Sequence, residues 1–123
     1  MPKKIFIIDD ADFMVDMLRV IMIGAGHEVV GVALNGEQAV ELIKALPSSA
    51  LPDVVTLDLH MPKMDGMEAV SRIRAIVPGV KLVLVSSDST LPVVMRAKDA
   101  GIDAFIAKPF ELQTILDVIA KLA

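Results

Sequence analysis

A chain of 123 residues with 54% hydrophobic content has the length for one core and the apolar material to fill it. Its 12 basic and 16 acidic residues leave a net charge of −4, the wrong sign for a nucleic-acid footprint, and its four aromatics are all Phe, too few to stack single strands. The absence of cysteine excludes disulfides, thiol catalysis and CxxC zinc sites.

The start, MPKKIFIID, is basic and then only briefly apolar, so it does not read as a signal peptide. IFII (5–8) is the first β-rich run. A helical period follows from about Asp12 to Ala25, with Gly26 as its stop. VVGVA (29–33) is the second run, and a second helix starts after Asn35, a good N-cap, and ends before Pro47. PSSALP (47–52) reads as a surface loop, and VVTL (54–57) is the third run. A third helix spans about Met67 to Val77 and is closed by Pro78-Gly79; KLVLVS (81–86) follows. The fourth helix, about Leu91 to Ala100, has Ser89 or Thr90 as cap and Gly101 as terminator. AFIA (104–107) is the fifth run, and the last helix covers Glu111 to about Leu122. No apolar stretch approaches the ~18 residues of a membrane span.

The five runs barely alternate polar with apolar residues, as expected of parallel strands covered on both faces. Five βα units in strict alternation predict an open, doubly wound five-stranded α/β sheet with five helices and right-handed crossovers. The expectation is therefore one soluble, cytoplasmic, monomeric domain over residues 1–123.

In DVVTLDLHMP (53–62) an apolar run ends on Asp58. A buried, unpaired carboxylate costs several kcal/mol, roughly, so it needs a partner, a metal or a chemical role. The polar residues that close the other strands supply all three. Asp9 and Asp10 follow the first strand, Ser86 ends the fourth and Lys108 follows the fifth. A parallel sheet gathers these ends on one edge, where open α/β sheets bind ligands. Three carboxylates there exceed what one ammonium can neutralise, and all-oxygen ligands favour Mg²⁺. A carboxylate beside Mg²⁺, an ammonium and a hydroxyl can attack a phosphoryl group, since that transfer is mostly positioning and charge stabilisation. Asp58 reads as a phosphate acceptor.

The acidic pair Asp9-Asp10, the segment DLHMPKMDG (58–66), Ser86 in LVLVSS and Lys108 in KPF (108–110) together resemble the receiver domain of bacterial and archaeal response regulators, in its CheY-like single-domain form. The strand order 2-1-3-4-5 is the one known for CheY and is taken over from that resemblance. The resemblance implies that Asp10 and Asp58 ligate Mg²⁺ directly, with the backbone carbonyl of His60 as a third protein ligand and Asp9 acting largely through water. It implies phosphoryl transfer to Asp58 from a phosphohistidine on a sensor histidine kinase or phosphotransfer protein. Lys108 would pair with one phosphate oxygen, and Ser86 would swing in to bond another. Phe105 would then repack the face made by helix 4, strand 5 and helix 5, where an output protein binds. The resemblance further implies a cis bond at Lys108-Pro109 and a turn into helix 3 at Gly66. His60 and Asp88 stand where side chains tune dephosphorylation.

Met14, Met17 and Met67 read as core filling. On the first helix, Phe13, Val15, Val20 and Met22 are expected to flank a polar stripe of Asp12, Asp16 and Arg19, partly exposed, and to receive the phosphodonor's helical bundle. No effector domain follows the last helix within these residues, so output would pass through a partner, in a chemotaxis-type relay, unless the chain is cut from a longer regulator. A pseudo-receiver that binds without phosphorylation usually lacks a member of the acidic, hydroxyl and lysine set. An aspartyl phosphatase of the DxDx[TV] kind needs a second acid where His60 stands.

Overall fold

The computed structural model describes residues 2–58, 64 and 66–122. Strands and helices alternate as β1 (Lys4–Ile8), α1 (Asp12–Gly24), β2 (Glu28–Ala33), α2 (Gly36–Ala45), β3 (Val54–Leu57), α3 (Gly66–Ile76), β4 (Lys81–Ser86), α4 (Leu91–Asp99), β5 (Ala104–Ala107) and α5 (Leu112–Lys121). The strands form one sheet in the order β2-β1-β3-β4-β5, every neighbouring pair parallel. This is the doubly wound α/β architecture and strand order expected.

The side-chain period of two along each strand divides the core into two layers. Ile5, Ile7, Val54, Val83, Val85 and Ile106 pack under α1 and α5. Phe6, Ile8, Val55, Leu57, Leu82 and Leu84 pack under α2, α3 and α4. The central strands are buried on both faces, which is why their sequences read as unbroken apolar runs. Each such side chain stabilises the fold by roughly 1.5–3 kcal/mol through burial.

Two irregularities have local causes. The β1–β2 register slips between Ile5 and Phe6, which pair with Val29 and Gly31. Gly31 is needed there, because a Cβ on it would stand 2.5 Å from Cε2 of the fully buried Phe6. Both α1 and α4 end on a left-handed glycine, Gly26 (φ 89°) and Gly101 (φ 81°). The next residue closes each end, His27 N–H donating to Met22 O and Ile102 N–H to Ala97 O, both at 3.0 Å. At α2, Asn35 Oδ1 accepts from Gln38 N at 2.8 Å, while Gln38 Oε1 accepts from Leu34 N at 2.8 Å.

Three expectations need correction. Val15 and Met22 are buried beneath α1 and not exposed beside its polar stripe, because positions 15, 18 and 22 form the face that meets the sheet. Met17, expected in the core, lies on the outward face with Phe13 and Val20. Met14 and Met67 are only partly buried at the core margin. The 47–52 segment is a loop at the surface, as expected, and carries a short 3-10 turn at Ser48–Ala50. Among the described residues no helix is long and apolar enough to cross a membrane.

Candidate functional site

Backbone hydrogen bonds fix the site residues just beyond the strand ends. Asp9 N–H donates to Ala33 O of β2 (3.1 Å), Asp58 N–H to Ile8 O of β1 (3.3 Å) and Lys108 N–H to Ser86 O of β4 (2.9 Å). Each bond continues the parallel ladder by one step, so the sheet itself sets the spacing of these side chains. Asp9, Asp58 and Ser86 are buried, and Asp10 is exposed. Pro109 follows Lys108 through a cis peptide bond, and Gly66, buried, is the first residue of α3.

Lys108 is the electrostatic centre. Its Nζ donates to Asp9 Oδ2 at 2.8 Å and to Asp58 Oδ2 at 2.9 Å. Burial pulls the ammonium pKa down, but the bonds and charges of Asp9 and Asp58 outweigh it, and the pKa stands above the ordinary 10.5. Asp9 is occupied at both oxygens, since Oδ1 accepts from Ala11 N at 3.0 Å. Asp10 makes no hydrogen bond or ion pair with the described residues, and its carboxylate is open to a ligand.

One oxygen each from Asp9, Asp10 and Asp58 lies within 4.8 Å of the others. Oxygens sharing an octahedral Mg²⁺ at ~2.1 Å sit about 3.0–4.2 Å apart, so small side-chain rotations would bring this set into range. Three carboxylates facing one ammonium also leave excess negative charge, which a divalent cation offsets. The donor set therefore fits Mg²⁺, and Asp10 is the member of it with no partner among the described residues. His60, whose carbonyl is the third expected ligand, lies outside the described residues, as do Leu59 and Asp65.

Ser86 heads the β4–α4 loop. Its Oγ accepts from Asp88 N at 3.1 Å, and Asp88 Oδ1 accepts from Thr90 N (3.2 Å) and from Thr90 Oγ1 (2.8 Å). Thr90 thus holds the loop through Asp88, a role its reading as a helix cap missed; the Asp-x-Thr spacing of a side-chain turn was the available signal. Phe105 pairs in register with Leu84, two residues before Ser86, and packs half-buried on the same sheet face. The histidine among the described residues, His27, is structural: its Nδ1 accepts from Lys3 N at 3.0 Å, and burial, then the Lys3 charge, lowers its pKa from 6.5.

The chain is 40% identical over 123 residues to the chemotaxis protein CheY of Thermotoga maritima, covering 100% of this chain and 99% of that one. It is 40% identical to CheY of Bacillus subtilis over 121 residues, 98% of each. A chain in the crystal structure of the CheX–CheY–BeF3–Mg²⁺ complex from Borrelia burgdorferi superposes with a TM-score of 0.87 at 30% identity, covering 97% of this chain and 87% of that chain. The model of the response regulator receiver domain matches residues 5–120. By that match and by its fold, the chain belongs to the response regulator receiver domains and is of the CheY-like type.

Proposed function

We propose that Asp58 accepts a phosphoryl group, with Mg²⁺ at Asp10 and Asp58, from a phosphohistidine on a sensor histidine kinase or phosphotransfer protein in the cytoplasm. The observation that carries this reading is the Lys108 ammonium bridging Asp58 and Asp9, with the open Asp10 carboxylate beside them. An Asp58 oxygen attacks phosphorus, the O–P bond forms as the N–P bond breaks, and the imidazole leaves. When bound, Mg²⁺ supplies the positive charge that lets two anions approach. Lys108 then has a phosphoryl oxygen to hold in place of a carboxylate, and the Ser86 hydroxyl can donate to another once it turns from the loop.

Turning Ser86 frees space on the face where Phe105 packs, and the added charge of about −1.5 to −2 biases that two-state element. The exposed apolar residues Leu91 and Met95 of α4 lie beyond it and suit an output protein. The named relatives are chemotaxis proteins, which favours a chemotaxis-type relay through protein contact. The full set of carboxylates, hydroxyl and lysine argues against a binding module that is never phosphorylated.

Incubation with acetyl phosphate and Mg²⁺ tests the reading. The protein should gain one phosphoryl group by intact mass, and the gain should vanish in Asp58→Asn or with EDTA. No gain, or a gain that persists in Asp58→Asn, overturns it.

A further inference from the structure

We infer that Thr90 is a positioning residue for the Ser86 switch: its hydroxyl, acting through Asp88, holds the Ser86 side chain against the β4–α4 loop in the unphosphorylated protein. This role rests on the proposed phosphoryl transfer to Asp58 and sets how readily the protein responds to it.

The backbone of Ser86 is fixed in the sheet. It closes β4 in register with Ala107, and its carbonyl accepts from Lys108 N at 2.9 Å. What turns is therefore the side chain, and the bond that Oγ makes decides how easily it turns. That bond is the one from Asp88 N, at 3.1 Å. When Oγ leaves, the Asp88 N–H loses its acceptor, and the loop has to shift to bring that group to water.

Thr90 opposes the shift. Asp88 Oδ1 accepts from Thr90 N at 3.2 Å and, more closely, from Thr90 Oγ1 at 2.8 Å. Thr90 is itself anchored to α4, its carbonyl accepting from Val94 N at 3.0 Å. The direction of its hydroxyl has a cause in the sequence. A threonine at a helix N-cap ordinarily accepts from the second or third helical residue, but the second here is Pro92, which has no N–H. Thr90 makes no cap bond with its side chain, and the hydroxyl turns back onto Asp88. Bonds thus run unbroken from α4 through Thr90 and Asp88 to Ser86 Oγ. They favour the resting arrangement over the one in which Ser86 reaches a phosphoryl oxygen. Removing the Thr90 hydroxyl weakens the resting side alone, so a phosphoryl group meets more of the competent state.

Two measurements on Thr90→Val test this role. Position 90 is exposed and extended (φ −63°, ψ 153°), so valine fits, and it keeps the N–H that Asp88 accepts. In the unliganded protein, independent of any phosphoryl chemistry, the Asp88 amide should exchange with solvent about threefold faster in Thr90→Val and at the parental rate in Thr90→Ser. Beryllofluoride with Mg²⁺, standing in for the phosphoryl group, should bind Thr90→Val about threefold more tightly, read from saturation of the Phe105 amide shift. Thr90→Ser should match the parent, and in a Ser86→Ala background Thr90→Val should change nothing, since no hydroxyl is left to release. Unchanged Asp88 exchange, unchanged or weaker beryllofluoride binding, or the same gain without the Ser86 hydroxyl would each overturn the role of Thr90 while leaving Asp58 labelling by acetyl phosphate intact. A parent protein that takes up neither beryllofluoride nor a phosphoryl group would overturn the proposed function and this role with it.

Discussion

At the scale of single residues, Lys108 and Thr56 give opposite lessons about buried polar groups. Lys108 raises stability by pairing with Asp9 and Asp58, and its folded pKa lies above the unfolded value of 10.5. Its contribution is therefore whole below pH 10.5 and is lost as the pH climbs through the higher folded value. Lys108→Met should lose about 1–3 kcal/mol at neutral pH without divalent metal, because two carboxylates are left facing each other. Urea unfolding should show the gap between the proteins narrowing above pH 10.5; an equal gap at all pH values would refute the assignment. Thr56 is the converse. Its hydroxyl is buried in β3 with no hydrogen-bond partner among the described residues, between register partners Ile7 and Val83. Thr56→Val keeps the shape and removes an unsatisfied group, so stability should hold or rise by about 1 kcal/mol in urea melts. A loss of that size would mean that the hydroxyl is satisfied in solution.

At the scale of elements, packing decides what pattern alone leaves open. Where β1 and β2 slip in register, Phe6 lies across Gly31 and leaves no room for a Cβ there. Gly31→Ala should destabilise by about 1–3 kcal/mol through overpacking, and combining it with Phe6→Leu should recover part of the loss, since leucine lacks the atom nearest the new methyl. Strict additivity in denaturant melts would break the proposed link. The order of strands and helices was legible in the sequence, because parallel strands covered on both faces read as apolar runs and Gly26, Asn35 and Gly101 mark helix ends. Strand order was not legible from pattern, since pairing is non-local, and it came from family resemblance. The orientation of α1 misled for a specific reason. Its 13 residues carry only Asp12, Asp16 and Arg19 as charges, so two faces are apolar and period cannot choose between them. The sheet chooses 15, 18 and 22. In the site, convergence of strand ends announced Asp9, Asp58, Ser86 and Lys108, whereas the Lys108 bridge and the Ser86–Asp88–Thr90 chain depend on side-chain rotations no spacing encodes.

At the scale of the whole molecule, the proposed function predicts a use for the apolar face that α1 leaves outside. Phe13, Val20 and Ile23 are 69%, 71% and 55% exposed, and with Met17 they run down the outward side of a helix that begins two residues after Asp10. Steps of four, three and three residues match the seam by which one helix packs along another. A helical phosphodonor laid on this seam would carry its phosphohistidine to the edge where Asp58 waits. Leu91 and Met95 of α4 are also exposed, and under the proposed function they would meet an output protein. Under the proposed function, docking on α1 would then be separable from the chemistry at Asp58. Phe13→Ala with Val20→Ala removes exposed apolar contacts without opening the core, so stability should change little, and labelling by acetyl phosphate should keep its rate. Transfer from the phosphorylated donor protein should slow by about tenfold or more, the effect of ~1.4 kcal/mol lost at an interface. The two rates, measured side by side on one preparation, discriminate. Equal rates for variant and parent with the protein donor would put docking elsewhere, and a parallel fall in both would mean that the substitutions disturb the acidic pocket.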